Sequence, residues 1–213
     1  MPERRGEFID RYGYPFCRGR IFDVVEKDCG QYDTVTEVMW VTGAALFIRL
    51  ADYREVGGLD DHFFAHMEEI DLCWRLRSRG KKLVCIPQSV VYHVGGATLK
   101  KENPRKTFLN FRNNLLMLYK NLPDKELEHV LFIRGILDRV AALVFYLKKD
   151  RANARAVMQA RREFEDIRYS FAASRIENIM KSTDEMIPER THFSILMKYY
   201  LLGKKHFSQL KLF

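Results

Sequence analysis

The stretch that decides the fold is Leu59-Asp-Asp-His-Phe-Phe-Ala-His-Met-Glu-Glu-Ile-Asp-Leu-Cys-Trp-Arg75. It places Glu68, Glu69 and Asp71 within four residues, directly after an aromatic run and at the start of a helical pattern of apolar residues. Acids in such surroundings indicate a pocket where a carboxylate is partly withdrawn from water, as a general base must be. The alternative is that the acids only stabilise a helix N-terminus, which explains one or two of them but not all three.

Glycines mark where the helices around this stretch should end. The helix that begins at Glu68 is predicted to end at Gly80, and a shorter helix over residues 51–56 is predicted to end at Gly57-Gly58. The first 37 residues, rich in Gly, Arg and Tyr, are interpreted as loops. Short strands are predicted at residues 38–41, 82–86 and 90–93, and further helices at 107–120, 126–148, 151–181 and 191–202.

The positive charge is concentrated in the C-terminal third of the chain. The net charge of the 213 residues is +8, but residues 1–129 hold 20 Lys/Arg against 19 Asp/Glu, whereas residues 130–213 hold 16 against 9. This imbalance predicts a surface for anionic lipid or another polyanion. No nucleic-acid partner is expected, because the sequence has no RNA- or DNA-binding signature and the acidic cluster would repel phosphates.

Other candidate groups each have an ordinary structural interpretation as well. His93 follows an apolar run and precedes Gly95-Gly96, so it is either a metal ligand or a hydrogen-bonded structural residue. His66 could take part in the same site. The Thr42-Gly43-Ala44 segment could present backbone N–H groups to a phosphate, or could be a common turn. Residues 110–114 are either a solvated helix face or a phosphate contact.

One helix of the C-terminal third is strongly amphipathic. Its charged residues Arg134, Asp138 and Arg139 lie away from a broad apolar side. That side either packs on the core or lies on the cytoplasmic leaflet of a membrane. The apolar residues concerned are Leu131, Ile133, Ile136, Leu137, Val140, Leu143, Val144 and Leu147.

Four separate motifs, in order and with matching spacing, resemble a known family. They are residues 42–45, residues 56–64, the Glu68-to-Arg75 segment with Gly80, and residues 91–96. Together they resemble the C-terminal half of family-2 inverting glycosyltransferases, in particular the bacterial rhamnosyltransferase-like members with a GT-A fold. The resemblance covers residues 5–122 well and the remainder loosely. It implies an α/β fold, with a partial GT-A (Rossmann-like) catalytic half over residues 1–125 and an all-α, basic amphipathic region over residues 126–213.

The resemblance also implies roles for individual residues. Glu69 matches the family's catalytic base, although Glu stands where Asp is usual, and Glu68 could substitute for it. His93 matches a ligand of the divalent metal, Mg²⁺ or Mn²⁺, that neutralises the donor diphosphate. The residues grouped with the substrate are Thr42, Gly43 and Ala44, which would line the donor or acceptor pocket, and Asp71 and Arg75, which would hold the helix in register.

The family begins with a nucleotide-binding βαβ half and an Asp-x-Asp motif, neither of which precedes residue 1. The chain is therefore expected to be a fragment that does not turn over alone. The expected partners are a nucleotide-sugar donor and a glycan or lipid-linked acceptor used in cell-surface polysaccharide synthesis. The expected location is the cytoplasm, on the inner face of the membrane through the C-terminal helices. The alternative function is a non-catalytic basic helical module that binds a membrane surface or a partner protein.

Overall fold

A computed structural model describes residues 7–92, 103–183, 186–210 and 212. The chain is a mixture of helices and small sheets, which confirms the α/β class in this coarse sense. A GT-A fold stays a prediction. The helices are α1 (Leu50–Glu55), α2 (Glu68–Ser78), α3 (Pro104–Asn121), α4 (Asp124–Leu147), α5 (Arg151–Ile167) and α6 (Ala172–Met180).

The interpretation of residues 1–37 as loops is wrong for residues 7–25, which form an antiparallel sheet. The strands follow one another in space as along the chain: β1 (Glu7–Ile9), β2 (Pro15–Cys17), β3 (Arg20–Ile21) and β4 (Val24–Val25). Gly13 and Gly19, both at positive φ, make two of the connecting turns. Strands of two or three residues are too short to show an alternating pattern, so only their turns were visible in the sequence.

Residues from the C-terminal end complete the core of this sheet. Phe8 and Phe16 stack with their ring centroids 5.4 Å apart, and Ile195 and Leu210 are buried against them. The backbone of Ile9 bonds to that of Glu189 at 3.1 Å and of Thr191 at 2.8 Å. The sheet is therefore stabilised by contacts between the two ends of the chain.

A second, two-stranded sheet pairs β5 (Thr36–Glu37) with β6 (Val84–Cys85). The predicted strand at residues 38–41 is instead buried chain, in which Val38 N donates to Leu83 O at 2.9 Å. Residues 90–92 are exposed and are not part of a strand, so the predicted strand 90–93 is wrong for these three residues. The last residue of that prediction, His93, lies outside the described residues. Apolar runs predicted strands here, but a strand also needs a neighbouring strand to pair with.

The helices around the acidic cluster are confirmed. α1 ends at Glu55, Val56 is its C-cap residue, and Gly57 and Gly58 follow at φ +83° and +68°. α2 ends at Ser78, and Gly80 follows with a φ of +75°. The apolar side of α2 forms the centre of the main core, through Ile70, Leu72, Cys73, Trp74 and Leu76.

The C-terminal helices match the predictions in part. α3 begins three residues early, where Asn103 accepts a hydrogen bond from Arg105 N at 2.9 Å. The predicted helix 151–181 is divided into α5 and α6 by a 3₁₀ turn, Arg168–Phe171. The predicted helix 191–202 is reduced to a short π-helical turn, Met197–Leu201. Among the described helices, none combines the length and the apolar content that crossing a membrane requires.

Contacts cross the position where a boundary was predicted. α5 and α6, which follow it, pack on α3, which precedes it. Arg77 of α2 forms an ion pair with Glu189 at 2.6 Å. The division of the chain near residue 125 stays a prediction.

Candidate active site

The loop that leads into α2 has an unusual backbone. Phe64, His66 and Met67 have φ of +60°, +70° and +73°. Side chains disfavour this region, and each such residue costs about 1–3 kcal/mol unless its surroundings hold it in place. Backbone strain of this kind clusters at functional sites, so the loop is a candidate for one.

The side chain of Asn113, in α3, holds this loop through hydrogen bonds to its carbonyl groups. Its side-chain nitrogen lies 2.8 Å from the carbonyl oxygen of Phe63, 2.9 Å from that of Ala65 and 2.8 Å from that of His66. Because an amide has only two hydrogens, the three carbonyl groups share them. Arg112 adds a hydrogen bond to Asn113 Oδ1 at 2.9 Å and another to the carbonyl of His62 at 3.0 Å.

These contacts correct both interpretations of residues 110–114 at Asn113 and Asn114. Asn113 and Asn114 are buried, and Asn114 donates to the carbonyl of Gly13 at 2.7 Å. They are therefore neither a solvated face nor a phosphate contact. Their position between Leu109 and Leu116, on the apolar side of a helix, was the sequence signal that could have indicated burial.

Glu68 and Glu69 occupy the first turn of α2, directly after the strained loop. Their Oε2 atoms and Nε2 of His66 are buried and have no hydrogen-bond partner among the described residues. Burial without a partner is costly for a polar group, so three such atoms within four residues make this turn a candidate binding site.

The surroundings of these groups shift their pKa values. The pKa of Glu69 is raised to about 7, first by burial and then by the charge of Glu68, while backbone N–H groups at the helix start partly offset both effects. Burial also raises the pKa of Glu68. Burial and then the charge of Lys106 lower the pKa of His66, which favours its neutral form. Near neutral pH, the carboxylate of Glu69 can therefore both accept and release a proton.

The Thr42-Gly43-Ala44 segment lies beside Glu69. Thr42 Oγ1 accepts a hydrogen bond from Ala44 N at 3.4 Å and caps a 3₁₀ turn, Gly43–Ala45. A Cβ atom placed on Gly43 would lie 3.8 Å from Cβ of Glu69. The structure thus brings together two motifs separated by 26 residues, and Gly43 and Ala44 are exposed on this surface.

Asp71 and Arg75 point into the interior, where their partners belong to the protein. Asp71 is fully buried and receives hydrogen bonds from Arg75 Nε at 3.0 Å, Lys120 Nζ at 2.9 Å and Asn121 Nδ2 at 2.8 Å. Arg75 also donates to the carbonyl groups of Val56 and, at 2.7 Å, Gly58. These bonds fix α2 against α3 and against the glycine turn after α1.

Lys120 was not identified from the sequence. Besides Asp71, it bonds to Asp60 at 2.7 Å and lies 5.0 Å from the centre of the Phe63 ring. It therefore links the buried network to the segment that precedes the strained loop. Nothing in a single lysine near a helix end indicates such a role.

The metal prediction rests on His93, which lies outside the described residues. Within the described part of the chain, no three His, Cys, Asp or Glu side chains converge as a metal site requires. Gly95-Gly96 also lie outside the described residues.

Comparison with known proteins identifies the chemistry of the relatives. The pre-mycofactocin glycosyltransferase of Mycobacterium tuberculosis (strain ATCC 25618 / H37Rv) is 31% identical over 141 residues, which cover 61% of this chain. The chain is a distant, partial homologue of glycosyltransferases. This confirms the coarse part of the resemblance.

Shorter matches point the same way. The N-acetylglucosaminyl-diphospho-decaprenol L-rhamnosyltransferase of the same strain is 38% identical over 56 residues, 26% of this chain and 18% of the relative. The rhamnosyltransferase WbbL of Escherichia coli (strain K12) is 33% identical over 69 residues, 32% of this chain and 25% of the relative. The chain spans less than a third of the length of these relatives, the first included, of which it covers 29%. No protein-family model and no solved structure matches it.

Proposed function

We propose that this chain provides the acceptor side and the general base of an inverting, family-2-like glycosyltransferase. In this proposal Glu69 is the base, and the donor is a nucleotide sugar. The observation that carries the proposal is the buried carboxylate oxygen of Glu69 at the start of α2, for which the described part of the chain offers no hydrogen-bond partner. The similarity to glycosyltransferases supports it.

The chemistry asked of Glu69 is a single proton transfer. Its carboxylate takes the proton of an acceptor hydroxyl while that oxygen attacks the anomeric carbon of the donor. The new carbon–oxygen bond forms on the face opposite the diphosphate, and the old bond breaks as the nucleoside diphosphate leaves with its electron pair. A pKa of about 7 suits this step, because the group is largely ionised at slightly alkaline pH and still basic enough to accept the proton.

The neighbouring residues support the base in this proposal. Gly43 and Ala44, exposed beside Glu69, would line the substrate, while Asp71 and Arg75 position α2 from the interior. Glu68 is the second carboxylate of the site and the alternative candidate for the base.

Several wider features are part of the same proposal. The relatives are longer than the segment that this chain matches. We therefore place the donor-binding region in a longer protein with the arrangement of a GT-A enzyme. That region would supply the affinity for the nucleotide sugar. A divalent metal, Mg²⁺ or Mn²⁺, bound in part by His93, would neutralise the leaving diphosphate. The acceptor would be a glycan or a lipid-linked sugar in polysaccharide synthesis, used at the cytoplasmic face of the membrane.

A donor screen tests this function. The 213-residue chain, and the same chain with any in-frame upstream sequence of its gene, is incubated with a panel of nucleotide sugars, Mg²⁺ or Mn²⁺ and a diphospholipid-linked N-acetylglucosamine. Release of nucleoside diphosphate and transfer to the acceptor are both measured. We expect transfer by the longer form, loss of at least 100-fold in kcat with Glu69→Gln, and nearly unchanged donor binding.

The alternative function, a non-catalytic basic module, makes the opposite prediction. No form of the protein would release nucleoside diphosphate, and Glu69→Gln would be without effect. If the longer form is active and Glu69→Gln leaves its turnover unchanged, the base lies elsewhere.

A further inference from the structure

Helix α4 turns two of its charged residues inward, while Arg139 stays exposed. Arg134 and Asp138 are buried, and Arg134 Nε donates to Asp138 Oδ1 at 3.2 Å. Arg134 also bonds to the carbonyl of Tyr12 at 2.9 Å, and Asp138 forms an ion pair with Arg161 of α5 at 2.8 Å. A buried ion pair with this many partners cannot be exposed by rotating the helix without leaving charges unpaired. The orientation of α4 is therefore fixed.

Much of the apolar side of α4 consequently faces outward, although Leu131 packs against the main core. Phe132 is 67% exposed and Leu147 is 70% exposed. Between them, at spacings of three or four residues, lie further half-exposed apolar side chains: Ile136, Val140, Leu143. At 1.5 Å per residue, this apolar stripe is about 22 Å long. A continuous apolar stripe on a protein surface marks an interaction site.

Cations border the C-terminal end of the stripe. A groove of about 690 Å³ lies between α4 and α5, where Leu143 and Met158 meet Arg151, Arg155 and Arg162. None of the described residues that line it is acidic. The nearby Asp150 caps α5 by accepting a hydrogen bond from Asn153 N at 3.1 Å.

We propose that the apolar stripe and its arginine border lie on an anionic lipid bilayer. The apolar side chains enter the boundary between headgroups and acyl chains, and the arginines contact lipid phosphates. A second copy of the chain is a poorer occupant, because pairing the same face of two molecules would place Arg151 and Arg155 near like charges. This proposal deepens the proposed function, because it names the surface of the protein that would contact the membrane. The proposal holds whether or not the chain transfers a sugar.

Vesicle sedimentation tests the surface. The 213-residue chain is mixed with vesicles of phosphatidylcholine alone, or with vesicles that also contain about 30% phosphatidylglycerol, which gives the surface a negative potential. We expect binding to the anionic vesicles, reduced on the order of tenfold or more by Arg151→Gln with Arg155→Gln, and similarly by Leu143→Gln with Leu147→Gln. All these side chains are exposed, so the fold should persist, and circular dichroism verifies it.

Matched variants on other surfaces are the controls. Arg54→Gln with Lys125→Gln removes the same charge, and Ile176→Gln with Met180→Gln removes exposed apolar side chains from α6. Both should bind as the original chain does, as should Glu69→Gln. Equal binding by all variants, equal binding to neutral vesicles, or no binding at all would overturn the proposal. So would a concentration-dependent dimer that the Leu143/Leu147 variant abolishes, because the occupant would then be a second copy.

Discussion

The side-chain nitrogen of Asn113 lies 2.8 Å from the carbonyl oxygen of Phe63, and this contact joins α3 to the loop that positions the candidate base. The same nitrogen contacts two further carbonyl groups of a loop whose backbone is strained. One buried amide thus holds a conformation that the loop would not keep alone.

Replacing this amide should destabilise the protein and relax the loop. Asn113→Ala removes the donor shared by three carbonyl groups, so we expect a loss of about 2–3 kcal/mol in unfolding free energy. Urea denaturation measures the loss, and hydrogen exchange should speed up at residues 64–67. Asn110→Ala, on the same helix, is the control and should change the unfolding free energy by less than about 0.5 kcal/mol. Unchanged exchange in Asn113→Ala would show that the loop keeps its shape without the amide.

The raised pKa of Glu69 should make stability depend on pH. Its pKa is about 7 in the folded chain against an ordinary value of 4.5. A raised carboxyl pKa contributes stability that is fully present below about pH 4.5 and is lost as the pH rises through 7, on the order of 3 kcal/mol in total. Glu69→Gln cannot ionise, so the variant should gain stability relative to the original chain between pH 5 and 8. Denaturation at a series of pH values checks this, and parallel curves for the two proteins would contradict it.

Glu68 should tune the base rather than replace it. Its charge is the second cause of the raised pKa of Glu69, after burial. Glu68→Gln should therefore lower the pKa of Glu69 while leaving it above 4.5, because burial remains. Carbon-13 NMR titration of the glutamate carboxyl groups measures the shift directly in the 213-residue chain. In an active longer form, the acidic limb of the pH–rate profile should move to lower pH by the same amount, whereas a large loss of kcat at all pH values would identify Glu68 itself as the base.

How far the sequence predicted this structure depended on the range of the interactions involved. α1 and α2 were predictable because their apolar periodicity and terminating glycines are local signals. The outward orientation of the apolar side of α4 was not predictable, because Arg134 is buried by partners that are distant in the sequence, Tyr12 and Asn114. The first sheet was missed for the same reason, since β1 bonds to the segment around Thr191.

The candidate site divides in the same way. The carboxylates of Glu68 and Glu69 were identified from their neighbours in the sequence. The residues that hold them in place, Asn113 and Lys120, belong to α3, some 50 residues later, and no local pattern links them to the loop.

Asp71 should be the most sensitive position of the buried network. It is fully buried and balances the charges of both Arg75 and Lys120, while Asn121 bonds to its other oxygen. Asp71→Asn keeps the shape of the side chain but leaves two buried cations with less compensation, so we expect a loss of about 3–5 kcal/mol. Asp61→Asn, at an exposed position before the same helix, is the control and should have little effect.

Because Asp71→Asn could prevent folding altogether, Lys120→Met provides a milder test of the same network. That variant leaves Asp71 paired with Arg75, and Asp60 retains a hydrogen bond from His62 N at 3.1 Å. It should therefore remain folded and lose less stability than Asp71→Asn, which urea denaturation of both variants would establish. A larger loss for Lys120→Met than for Asp71→Asn would mean that the contact of Lys120 with Asp60 and the Phe63 ring, rather than its pairing with Asp71, holds α3 against the loop.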